Sequence, residues 1–392
     1  MIRRAITVSV LFACFWTGGT TPARGQNLGK PVSDGQSISG HAHSSGNAGV
    51  VAAGVNVPMW PGFFFFNGVR YNFTMVGSDP TVAGAGTTNV PVVIIPLSFS
   101  YPNGTVVSPI ATACGDNTSV LTRIQGSPLF TTNVTWVEGN TVVGVTQFTD
   151  AFQRANFWAY VSTRSPNYHV LLNPVSTTPV QQIPVPAGKG QTMANNACPQ
   201  QPLGTVDMTF LDGQLRALIT QFGIGPNTLP LFVAYDMVGL PSTGGFFFGY
   251  HTAVQVAPGV FQTYAFGSYT DNQFLGFNVA DISILSHELG EWLDDPVNNP
   301  VPPWGHIGQV TGCQANLEVG DPLTGSNSTV FTPGFNYHVQ DLAFFSWFAR
   351  QQPSIAVNGW YSTLNAFAGP PPVCSDGGWS SVDWEKQNLT AD

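Results

Sequence analysis

Turn signals set the grain of this chain. Residues 63–66 and 69–75 are apolar, β-prone runs joined by Asn67-Gly68, a pair that accepts the positive φ of a tight hairpin. Residues 134–137 and 141–145 bracket Glu138-Gly139-Asn140 in the same way. Pro102-Asn103-Gly104 separates a run at 97–101 from one at 105–107. Further strands are expected at 90–95 and 168–172, so residues 56–200 read as a β-rich region. Forty-three glycines and 31 prolines supply the breaks such a pattern needs.

Charge is scarce. Only 8% of residues are charged, with 12 Lys and Arg against 21 Asp and Glu, so the net charge is -9. Ordinary soluble domains carry roughly a quarter. A hydrophobic content of 43% excludes a disordered polyelectrolyte. The lack of a basic footprint argues against nucleic acid as a partner.

The N-terminus resembles an export address. Arg3 and Arg4 precede an apolar run at 5–16, and Ala23-Arg24-Gly25 places small residues where a signal peptidase cuts. Residues 1–25 are therefore read as a signal peptide, and 26–55, rich in Gly, Ser and Asn, as a flexible leader. No apolar run is long enough for a transmembrane segment. A secreted or extracytoplasmic location follows. Cys114, Cys198, Cys313 and Cys374 then form an even set suited to disulfides. Four cysteines allow three connectivities. Cys114–Cys198 with Cys313–Cys374 is favoured because each bridge stays within one half of the chain.

A Pro- and Gln-rich stretch at 184–202 reads as a linker, and beyond it the apolar period lengthens. Phe210, Leu211, Leu215, Leu218, Ile219 and Phe222 form a helical stripe closed by Gly223. A buried-type strand is expected at 229–235, and an antiparallel pair at 246–254 and 262–266. A helix capped by Asn278 should run to Pro296, and a last helix should cover 339–350. Residues 201–392 are accordingly an α+β domain.

The helix before Pro296 carries Glu288, Glu291, Asp294 and Asp295, four of the 21 acids of the chain within one short segment. A solvated polar face would explain them. Yet the surface here is covered by Thr, Ser, Asn and Gly, and clustered like charges weaken a helix unless a cation neutralises them. His287 and Glu291 stand at i and i+4, so their side chains converge. Glu288 between them can reach a metal-bound water, the logic of the H-E-x-x-H helix with glutamate in place of the second histidine. A third ligand is sought downstream. Glu318 is the first choice, then Asp321, His306 and His338, with Asp341 an outsider. Zinc on His287, Glu291 and Glu318 would acidify a water, with Glu288 as general base. Tyr250, His251, Tyr264 or Tyr269 would stabilise the oxyanion.

Ser286-His287-Glu288-Leu289-Gly290-Glu291, followed by Asp294-Asp295-Pro296, resembles the active-site helix of zincin metallopeptidases in an H-E-x-x-E form. It is also similar to the helix of the secreted exordium/phosphate-induced family and of uncharacterised secreted bacterial proteins. In the exordium/phosphate-induced family a later Glu before an Asp corresponds to Glu318 and Asp321. The resemblance spans about residues 230–350. It implies a zincin-like fold in which a metal-bearing helix lies beside an antiparallel edge strand at 246–254. It implies a zinc peptidase acting on an extracellular protein or peptide.

Two other classes compete. Asp294, Asp295, Asn298 and Asn299 are an oxygen-rich group suited to calcium, as in a non-catalytic metal-stabilised structural or binding protein. Trp60, Trp136, Trp304 and Trp360 are candidate sugar platforms, with Glu288 and Glu291 as a glycosidase-like pair. No G-x-S-x-G elbow, P-loop or dinucleotide fingerprint is present.

Overall fold

The structure, a computed structural model, describes residues 55–242 and 244–375. The signal peptide and nearly all of the leader lie outside them. The chain opens with the hairpin β1 (Met59–Phe66) and β2 (Val69–Val76), turned at Asn67-Gly68 with φ of 47° and 78°. β3 (Thr87–Ser100) is one 14-residue strand where two were expected. Pro96 does not end it, because the strand changes partner there. β7 (His169–Thr177) pairs with its first part and β8 (Gln181–Pro184) with its last, each parallel, while β4 (Val106–Val107) adds an antiparallel end. Between β4 and β7 come α1 (Val120–Gln125), the hairpin β5 (Val134–Glu138) and β6 (Thr141–Thr146), α2 (Phe148–Asn156) and α3 (Trp158–Val161).

The stretch at 184–202 is docked onto the fold. It holds β9 (Thr192–Met193), which pairs with β10 (Leu203–Asp207), and Asn195 donates to Asp236 at 2.6 Å. α4 (Met208–Gln221) follows, capped by Asp207, whose carboxylate accepts from the Phe210 amide at 2.8 Å. β11 (Leu229–Tyr235) is buried at every residue, as a central parallel strand requires. β12 (Met237–Leu240), β13 (Gly249–Ala257) and β14 (Val260–Tyr269) come next, the last two antiparallel as expected.

The main sheet has seven strands and runs β13-β14-β11-β3-β4, with β7 and β8 on β3. It draws strands from both 56–200 and 201–392. Alternation along β11 sends Leu231, Val233 and Tyr235 to one face and Phe232 and Ala234 to the other. Leu211, Leu215 and Leu218 of α4 cover the second face. α2 and α5 (Ser283–Asp294) cover the first, with Phe152, Leu285, Leu289 and Trp292 in one core. The molecule is strand-rich α+β.

After α5 come the hairpin β15 (Pro300–Ile307) and β16 (Val310–Asn316), then β17 (Asn327–Thr332) and β18 (Phe335–Gln340). The helix expected over 339–350 shrinks to one turn, α6 (Phe345–Phe348). Its apolar spacing reflects burial on all sides: Trp347 meets Trp304, Phe348 and Phe367, and Asp341 accepts from Thr363 and the Leu364 amide. Disulfides join Cys114 to Cys198 and Cys313 to Cys374, the favoured connectivity. No helix among the described residues is long and apolar enough to cross a membrane.

Candidate metal centre

α5 begins at Ser283, later than the Asn278 cap predicted. Asn278 instead donates to the Gly325 carbonyl, and Asp281, at φ 40°, accepts from His338. The helix ends at Asp294, before Pro296. All twelve of its residues are buried, so the solvated-face explanation of its acids fails. Buried carboxylates must be hydrogen-bonded, protonated or paired with a cation.

His287, Glu288 and Glu291 converge as the i, i+4 spacing predicts, each offering a ligand atom within 4.8 Å of the others. His287 Nε2 lies 3.1 Å from Glu291 Oε2. Glu291 Oε1 accepts the Gly320 and Asp321 amides at 3.0 and 3.2 Å, so the turn after β16 locks the carboxylate. Its Oε2 is buried and has no hydrogen-bond partner. Burial is the largest influence on this carboxyl and pushes its pKa up, but His287, then His251 and the Gly320 amide, outweigh it and hold the carboxyl below its ordinary range.

Glu318 is buried nearby, fixed by Asn316 Nδ2 at 2.6 Å. It forms a second convergent group with Glu291 and His251. His251 of β13 was expected only as an oxyanion donor. Its Nδ1 stands 3.6 Å from Glu291 Oε2 and 3.7 Å from Glu288 Oε2, and its Nε2 is 3.7 Å from Glu318 Oε2. No motif spacing links it to α5. Only the placement of β13, the end strand of the sheet, beside the helix brings it there.

The other candidates are distributed differently. Asp321 Oδ1 is 3.7 Å from His287 Nε2, while its carboxylate accepts from Gln309 and Gln314. His338 pairs with Asp281 at 2.6 Å, which raises its pKa. His306 lies beside the Cys313–Cys374 bridge. The Tyr250 and Tyr264 hydroxyls turn to Asp212 under α4, and Tyr269 packs edge-on against Tyr235. Asp294 accepts from Gln153 and Asn156 of α2, and Asp295 from the Asn299 amide, so amides occupy oxygens of the calcium candidate.

A cleft of about 330 Å³ leads to His287 and Glu288, walled by Phe246, Phe248, Phe277 and Ile284. The chain matches no family model, no curated protein and no solved structure.

Proposed function

We propose that this chain is a secreted metal-dependent hydrolase, a zinc peptidase of zincin-like layout acting on an extracellular protein or peptide. The observation that carries the reading is Glu291 Oε2, buried without a hydrogen-bond donor and facing two imidazoles. His287 and Glu291 would hold the metal, with Glu318 as the third residue of the set. The donor chemistry fits: zinc ligands about 2 Å from the ion lie about 3.3 Å apart, close to the 3.1 Å between His287 and Glu291. The bound ion supplies an acidified water.

Glu288 is the base. Its carboxylate accepts the proton of the attacking water and returns it to the leaving amine. Burial excludes bulk water around it. The phenylalanine-walled cleft beside it accepts an apolar side chain, and end strand β13 offers an edge along which an extended peptide can pair. Glu288→Gln should lower peptide hydrolysis by about 100-fold or more while the metal stays bound. Unchanged turnover in that variant would refute the role of Glu288.

A further inference from the structure

We infer that the cluster is a binuclear centre: one divalent ion sits with His287, a second with His251 and Glu318, and Glu291 Oε2 belongs to both. The inference rests on the metal-site reading above and deepens it, with Glu318 moved from the ion at His287 to the second ion.

His251 Nε2 faces the Asp295 carbonyl oxygen at 3.1 Å, an atom that only accepts, so this nitrogen carries the proton. Its other nitrogen, Nδ1, stands 3.6 Å from Glu291 Oε2. His287 Nδ1 faces Gln340 Oε1 at 3.1 Å, and the Gln340 amide orientation is settled by Nε2 donating to the Gly320 carbonyl at 2.6 Å. His287 Nε2 faces the same Glu291 Oε2 at 3.1 Å. Two imidazole nitrogens converge on one buried carboxylate oxygen, a set of donor atoms suited to cations. Each imidazole is meanwhile oriented through its other nitrogen by a carbonyl oxygen, the usual outer partner of a metal-bound histidine.

The grouping gives the number. Ligand atoms form two sets, His287 with Glu288 and Glu291, and His251 with Glu291 and Glu318, and Glu291 is the member in common. Two ions joined by a shared carboxylate stand about 3.5–4 Å apart in hydrolytic centres. Glu288 belongs to the first set and its Oε2 stands 3.7 Å from His251 Nδ1 of the second.

The test is zinc stoichiometry by elemental mass spectrometry on the full mature chain, with manganese(II) electron paramagnetic resonance on the same protein stripped and reloaded. Two ions per chain and an exchange-coupled manganese spectrum are expected. His251→Ala and Glu318→Gln, checked for unchanged circular dichroism, should each hold one ion with an uncoupled spectrum. One ion in the parent, unaffected by His251→Ala, overturns the binuclear inference and leaves the hydrolase reading standing. No bound ion overturns both.

Discussion

Gly320 sits so close to His287 that a β-carbon there would lie 2.5 Å from Nδ1. Gly249 of β13 meets Glu288 the same way, with a β-carbon position 2.5 Å from Oε1. Both backbones press on the side chains that carry the proposed chemistry, one from each side of α5. Gly320→Ala should therefore displace the His287 ring, costing about 1–3 kcal/mol of stability. Metal affinity should fall further than the loss of stability explains. Chemical denaturation together with metal titration separates the two, and an alanine variant with unchanged affinity would show that the contact does not position His287. At this scale the sequence was informative wherever spacing is local: His287, Glu288 and Glu291 share one helix, and 3.6 residues per turn dictates their convergence. His251 was legible only as a histidine in a strand, because its approach depends on long-range packing.

α5 shows what an element gains from complete burial. Its apolar positions enter the core beneath the sheet, and its polar positions meet β13, β18 and α2. Asp294, hydrogen-bonded by Gln153 and Asn156 of α2, is pushed up to about 7 by burial. A raised carboxyl pKa means the folded state holds a proton that the unfolded chain has released. The contribution of Asp294 is thus fully present below about pH 4 and is lost as the pH rises toward 7. Asp294→Asn, which leaves one of the two amide donors without an acceptor, should be clearly less stable than the parent at pH 4, with the gap narrowing by pH 8. Urea denaturation at both values measures it, and a gap independent of pH would contradict the assigned proton. Hairpins with local turn chemistry, such as β1 with β2, were legible from sequence, as were the C-terminal end of α4 and both ends of β11. Residues 339–350 were not, because aromatic side chains buried on every side imitate a helical stripe in a segment that is mostly not helical.

Across the whole molecule, β3 from the first half lies next to β11 from the second, so one sheet carries the helix, the end strand and the cleft. That pairing joins residues far apart in sequence, which neither periodicity nor turn residues encode. The disulfides lie outside the centre and close loops with separations of 84 and 61 residues, an arrangement suited to an oxidising compartment. The chain spends little charge anywhere else, yet buries a group of acids and two imidazoles beside an apolar cleft. The direct measurement is elemental mass spectrometry of the mature protein and of His287→Ala, each purified without chelator. The account predicts stoichiometric zinc in the parent and a marked loss in the variant. Calcium alone, or no metal in either protein, would contradict it and leave a structural or binding protein.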